Sequence, residues 1–260
     1  MIREILERLV KGEISIEEAE KLLKIVTIEE IEAIAKLDVK RHVRTGVPEI
    51  ILAEGKDPED LAKIVMKVLE RNGRAIVSRI ENDHIEAIKK IVPSIANMQI
   101  NKKAKMIVIK KKEFTVEKTG GKVGIITAGT SDIPVAEEAR IIAEEMGCEV
   151  FTAYDVGVAG IHRLFPSLKK MIEKDVDVLI VVAGREGALP SVVAGMVDIP
   201  VIGVPTSIGY GLGEKGISAL TAMLQACSLG LAVVNIDGGV AAGAVAALIA
   251  NRVVKARGTK

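Results

Sequence analysis

Ala128-Gly129-Thr130-Ser131-Asp132-Ile133-Pro134 joins an apolar run to a helical pattern through two hydroxyls and a carboxylate. Exposed amides at a helix start, with Thr130 and Ser131 beside them, suit a phosphate or carboxylate. Ser131 or Asp132 can equally serve as the cap of the following helix, Pro134–Met146. Asp132 has two further possible uses, as a base or as a metal ligand. A second turn, Gly184-Arg185-Glu186-Gly187-Ala188-Leu189-Pro190, offers a guanidinium for bidentate pairing with an acid and a carboxylate for proton transfer. A solvated ion pair is the plainer use of Arg185 and Glu186.

Three other features carry possible chemistry. Gly209-Tyr210-Gly211-Leu212-Gly213-Glu214-Lys215-Gly216 contains GxGxxG, but it does not open a first βα unit as a dinucleotide fingerprint must. A mobile lid suits it better. His162, in Gly160-Ile161-His162-Arg163, follows an apolar run and is placed to approach a ligand, whereas His42 and His84 sit in polar segments and read as surface residues. Cys148 reads as a small buried hydrophobe. Cys227 follows a helical pattern, where the dipole does not favour a thiolate, and its role stays open on residues alone. No Ser–His–Asp or zinc spacing occurs.

These turns need elements to hold them. Apolar runs at Val123–Thr127, Val150–Tyr154, Val178–Ala183, Pro200–Val204 and Leu231–Ile236 each precede a glycine-containing turn and a helical pattern. Strands alternating with helices make a parallel sheet covered on both faces, a three-layer α/β/α arrangement. Right-handed crossovers favour the flavodoxin-like order 2-1-3-4-5, in which ligands bind beyond the carboxyl ends of strands 1 and 3. The turns at Ala128–Asp132 and Gly184–Leu189 fall there. The apolar, Ala/Gly-rich helix Val240–Ala250 has few charges to face water, and a neighbouring subunit is expected to cover it.

The first half has a different grammar. Ser15-Ile16-Glu17-Glu18 and Thr27-Ile28-Glu29-Glu30 are capping boxes. Asp57-Pro58-Glu59-Asp60 starts a helix that runs to Asn72-Gly73. Short β-like runs at Ala75–Ile80 and Met106–Ile109 flank a helix near Asp83–Ile91, and Lys110–Gly121 reads as a linker. The division is therefore a smaller α/β domain over residues 1–117 and a catalytic domain over residues 118–260.

Composition narrows the partners. The chain has 260 residues with 36 basic and 35 acidic side chains, a net charge of +1. Such balance lacks the basic footprint of nucleic-acid binding, and the lysines around Met106–Ile109 read as solvated strand ends. Aromatics are few, so a nucleobase finds little to stack on. Two cysteines, far apart, indicate a reducing compartment. The opening Met1-Ile2-Arg3-Glu4-Ile5 lacks a signal-peptide pattern, and no apolar run of about 18 residues appears. A cytoplasmic protein without membrane or nucleic-acid partners is expected.

Gly129-Thr130-Ser131-Asp132, Ala159-Gly160-Ile161-His162-Arg163, Ala183-Gly184, Leu189-Pro190 and Pro200-Val201-Ile202-Gly203-Val204-Pro205 resemble the aminoimidazole ribonucleotide carboxylase and mutase family. Two departures stand out: Arg185-Glu186-Gly187-Ala188 in the glycine–alanine loop, and Cys227 in Leu224-Gln225-Ala226-Cys227-Ser228. With these and Asp38-Val39-Lys40-Arg41-His42-Val43-Arg44-Thr45-Gly46-Val47-Pro48-Glu49, the chain resembles the LarB family along nearly its full length.

That resemblance implies synthesis of pyridinium-3,5-biscarboxylic acid mononucleotide for the nickel-pincer cofactor. The substrates would be nicotinic acid adenine dinucleotide and CO2 or bicarbonate, with AMP released, Mg2+ as helper and a homo-oligomer, an octamer, as the assembly. Against such a substrate, Cys227, Glu186 and Asp132 are the expected catalytic residues, with Asp132 also the candidate Mg2+ ligand. Gly129, Thr130, Ser131, Arg185, Gly187 and His162 are the expected substrate contacts.

Overall fold

The computed structural model describes residues 2–26, 41–92, 96–209 and 211–258. The chain divides into two units, Met1–Gln99 with Val108–Phe114 and Ile100–Ile107 with Thr115–Lys260.

The first unit opens with α1 (Ile2–Val10) and α2 (Ile16–Val26), joined where the Ser15 hydroxyl accepts the Glu18 N–H at 3.1 Å. Ile5, Ile14 and Ala19 form a small core between them. The second capping box, Thr27–Glu30, lies outside the described residues. After α3 (Arg41–Thr45) and β1 (Ile50–Leu52) comes α4 (Pro58–Asn72). Its start and stop follow the chemistry of its ends. The Asp57 carboxylate accepts the Glu59 and Asp60 N–H groups, and Gly73 closes the helix at φ 72°.

β2 (Arg74–Ser78), α5 (Asn82–Ile91), β3 (Asn97–Asn101) and β4 (Met106–Lys110) complete a four-stranded sheet ordered β1-β2-β4-β3. β1 has only three residues, and β3, Asn-Met-Gln-Ile-Asn, alternates polar and apolar over just five residues with two apolar side chains. The sheet's partners, not local propensity, bring them into register. His84 is not the surface residue its polar neighbourhood suggests. It is buried, its Nδ1 accepting the Glu81 N–H and its Nε2 donating to the Lys56 carbonyl, each at 3.1 Å.

The second unit alternates strands and helices throughout: β5 (Lys122–Thr127), α6 (Ile133–Glu145), β6 (Glu149–Ala153), α7 (Leu164–Glu173) and β7 (Val178–Ala183). It continues through α8 (Ala188–Ala194), β8 (Val201–Pro205), α9 (Ile217–Leu224), β9 (Leu231–Val233) and α10 (Gly239–Arg257). The sheet order is β6-β5-β7-β8-β9 with every pairing parallel, the expected flavodoxin-like winding. β7 sits at the centre, and all six of its residues are buried. Burying a side chain such as Leu179 or Ile180 contributes about 1.5–3 kcal/mol.

β9 ends earlier than its apolar run, because the chain turns at Asn235 and reaches Asp237 with φ 55°. α10 departs from expectation more. It is long and apolar enough to cross a membrane by length and composition. Its small-residue face, with Ala242, Gly243, Ala246, Ala247 and Ala250 buried, is covered within the chain. A Cβ on Gly243 would stand 2.5 Å from the Ala139 carbonyl of α6, so the two helices approach as closely as backbone allows. The other side of the helix leaves Val245 exposed.

Candidate active site

Parallel strands aim their carboxyl ends at one edge of the sheet, and the winding reverses between β5 and β7. A cavity of about 460 Å³ opens there. The turn after β5 supplies Ala128, Gly129, Ser131 and Asp132. The turn after β6 supplies Gly157, Val158 and Ala159, and the turn after β7 supplies Arg185, Glu186, Gly187, Ala188 and Leu189. Ile208 and Gly209, beyond β8, close one side. Small residues make most of this wall, leaving flat space bounded by few polar groups.

Asp132 is the organising side chain. It is buried, and its two carboxylate oxygens have separate partners. Oδ2 accepts the Gly129 N–H at 2.9 Å, and Oδ1 accepts the Thr206 hydroxyl at 2.8 Å. Burial pushes its pKa above the ordinary carboxylate value. The Thr206 hydroxyl and the Gly129 amide oppose that shift, and the Asp237 charge adds to it. Asp132 therefore does not act as the cap of α6, which begins without a side-chain cap. A buried carboxylate near a cavity with a raised pKa is suited to moving a proton.

The expected anion cradle is smaller than the sequence suggests. The Gly129 amide is spent on Asp132. Thr130 is exposed and does not line the cavity, and neither does His162, on the exposed turn Val158–Arg163. The neighbouring Arg163 pairs with Asp155 at 2.7 Å. Ser131, Arg185, Glu186 and Gly187 do line the cavity. Gly187 holds φ 69°, and a Cβ there would stand 2.6 Å from the Ala219 carbonyl, so this turn requires glycine.

Cys227 is exposed and lies away from the cavity. It sits in the turn before β9, whose first residue, Leu231, pairs with Val201 at the start of β8. Cys227 thus occupies the amino edge of the sheet, and Asp132 the carboxyl edge. Cys148 is buried, and burial pushes its thiol up to about 11. The glycine-rich segment after β8 borders the cavity through Gly209. Its Gly216, at φ 82°, turns the chain against the Thr206 carbonyl.

Sequence reasoning places Gly184 in a candidate turn but gives no role to Thr206 or Asp237. The missed signal was positional: Thr206 and Gly184 immediately follow the carboxyl ends of β8 and β7.

The residues do not build a magnesium site. Both Asp132 oxygens are engaged, and among the described residues no group of three His, Cys, Asp or Glu side chains is placed to hold a metal. Asp132, each of whose oxygens already accepts one hydrogen bond, could hold Mg2+ only together with water and substrate oxygens.

A five-stranded parallel sheet with this cavity at its reversal point is the flavodoxin-like arrangement with a ligand site at the switch point. Residues 122–257 match the AIR carboxylase family model, and residues 28–112 match the LarB/PurE-like N-terminal domain. The chain belongs to the LarB family. It is 55% identical over 251 residues to MJ0165, an uncharacterized protein of Methanocaldococcus jannaschii, covering 96% of each chain. Its similarity to N5-carboxyaminoimidazole ribonucleotide mutases is partial. With the Thermotoga maritima enzyme it is 33% identical over 108 residues, 40% of this chain and 59% of the relative. With the Methanocaldococcus jannaschii mutase it is 37% identical over 118 residues, 44% and 69%.

Proposed function

We propose that this protein carboxylates the pyridinium ring of nicotinic acid adenine dinucleotide and hydrolyses its phosphoanhydride, giving pyridinium-3,5-biscarboxylic acid mononucleotide and AMP. The observation that carries this reading is the joining, in one chain, of a LarB/PurE-like N-terminal domain to an AIR carboxylase domain. Arg185 and Glu186 on the cavity wall, and an exposed Cys227, add the chemistry this substrate needs.

The ring is cationic and electron-poor, so its carbon 5 does not attack CO2 unaided. Thiolate addition at carbon 4 converts the ring to a dihydropyridine enamine whose carbon 5 is nucleophilic. That carbon takes up CO2 and becomes tetrahedral. Loss of its proton to Glu186 or Asp132 and departure of the thiolate then restore aromaticity. Arg185 pairs with an acid group of the substrate and holds the ring against the small-residue wall. In the hydrolytic step, water adds across the phosphoanhydride, and a proton from Ser131 or solvent accompanies AMP release. Mg2+, if held by Asp132 together with water, would supply charge neutralisation for the substrate phosphates.

Cys227 and the cavity stand at opposite edges of one sheet, so the thiol is supplied in trans by a neighbouring copy within a homo-oligomer, an octamer in this reading. Cys227 lies between Leu224 and Leu229, both exposed, and Ile208 and Leu212 are exposed beside the cavity. Apolar surfaces at both places suit contact between copies.

A second reading, ribonucleotide mutation in purine synthesis, rests on the mutases that match the second half. It leaves Cys227 and the N-terminal domain without a task. Incubation with the dinucleotide, bicarbonate and Mg2+ tests the choice. Release of AMP with a dicarboxylated mononucleotide is expected, and an unchanged dinucleotide contradicts the proposal.

A further inference from the structure

We infer that Thr206 is a positioning residue for Asp132, fixing which carboxylate oxygen faces the substrate and which is held in the protein. The inference rests on the reading of Asp132 as a proton-transfer group in the proposed reaction.

Thr206 stands one residue beyond β8, and Asp132 lies 74 positions earlier, in the turn after β5. Between their strands runs β7, and Gly184 follows its last residue. The Thr206 side chain is fully buried, and its hydroxyl donates to Asp132 Oδ1 at 2.8 Å. Valine would fill the same volume without a polar atom to satisfy. A hydroxyl here thus gains nothing from packing, and it donates to the carboxylate.

Gly184 makes the pairing possible. A Cβ at this position would overlap the Thr206 hydroxyl, and it would stand 2.6 Å from the Ile208 carbonyl and 3.1 Å from Asp132 Oδ1. Three strand ends therefore converge on this carboxylate, which also lines the cavity. On the opposite side, Oδ2 takes the Gly129 N–H, so both oxygens are oriented before any ligand arrives. Preorganisation of this kind favours the reaction because no reordering is needed during proton transfer.

The charged groups around Asp132 are few. Asp237, at the junction of β9 and α10, raises its proton affinity, and Arg185 and Glu186 share the cavity from the turn after β7. Thr206 is thus the side chain that opposes burial most directly.

The test uses the full chain with carbon-13-labelled aspartate carboxyls, the Asp132 signal being assigned from Asp132→Asn. Thr206→Val should move the Asp132 titration upward by about one pH unit, and Thr206→Ser should return it. On nicotinic acid adenine dinucleotide, kcat should fall about ten- to a hundred-fold in Thr206→Val with little change in KM, and Thr206→Ser should recover most of it. If Thr206→Val does not fold, Thr206→Ala removes the same hydroxyl without the added branch. Either hydroxyl-free variant titrating as wild type does overturns the inference. Should the wild-type chain leave the dinucleotide unchanged while the titration still moves, the substrate reading falls and the positioning role stands.

Discussion

Asp132 and Cys227 stand at opposite edges of one five-stranded parallel sheet, the carboxylate beyond the end of β5 and the thiol before the start of β9. No single chain brings them together. If both act on one substrate, two copies of the chain must share the site.

That relationship has a direct consequence for mixed assemblies. Cys227→Ser and Asp132→Asn chains should each lose carboxylation. Co-assembled in equal amounts, they should recover up to about a quarter of wild-type activity, because about a quarter of the sites receive an intact Asp132 from one chain and an intact Cys227 from its neighbour. Cys148→Ser, which alters a buried thiol, should keep turnover. Activity in Cys227→Ser alone would remove the thiol from the mechanism, and an inactive mixture would contradict the sharing. Light scattering should show an oligomer at micromolar concentration.

Asp132→Asn also separates proton transfer from stability. Because burial raises the Asp132 pKa, the folded state favours its protonated form, and that contribution fades as pH rises through the folded pKa. At neutral pH the ionised group is costly to keep buried. Asn should therefore melt within about 5 °C of wild type while turnover is lost. In the wild type, a base role makes kcat rise with pH through an apparent pKa above the ordinary carboxylate value. A profile that rises at the ordinary value would remove Asp132 from that role.

Much of this architecture is legible in the residues. The five apolar runs, their glycine turns and right-handed crossovers lead to the observed strand order, and Asp57 and Gly73 mark both ends of α4. β1, with three residues, and β3, whose alternation spans only five, are too short to be legible without their sheet partners. The site is legible only as loops. Which residue of Gly129–Asp132 turns inward depends on Thr206 and Gly184, which are distant in sequence. His84 misleads because polarity in a segment does not reveal what the rest of the chain lays over it.

Arg185 and Glu186 carry the distinction between this cavity and a solvated ion pair. Arg185→Ala should raise KM for the dinucleotide about tenfold or more, since a charge-assisted pair is lost. Glu186→Gln should lower kcat more than it changes KM. Near-normal kinetics in both variants would assign the pair to the surface.

Glu137 offers a test of stability independent of catalysis. Hydrogen bonds from Arg140 hold its pKa near 2, below its ordinary 4.5, against the opposing effect of burial, and the Tyr154 and Asn101 side chains assist. A depressed carboxylate stabilises the fold above the unfolded pKa, and the contribution disappears as pH falls through the folded value. Glu137→Gln should therefore lower stability by about 2 kcal/mol at pH 7 and flatten acid unfolding between pH 4.5 and 2. Parallel acid-unfolding curves for the two proteins would show that this cluster does not supply the difference.

Carbon-13 bicarbonate tests the central chemistry most directly. The wild-type chain, supplied with nicotinic acid adenine dinucleotide, labelled bicarbonate and Mg2+, should yield AMP and a mononucleotide whose ring carries one labelled carboxylate in addition to its original one. Mass spectrometry reads both products at once. A dinucleotide recovered without label and without AMP would contradict the proposed reaction.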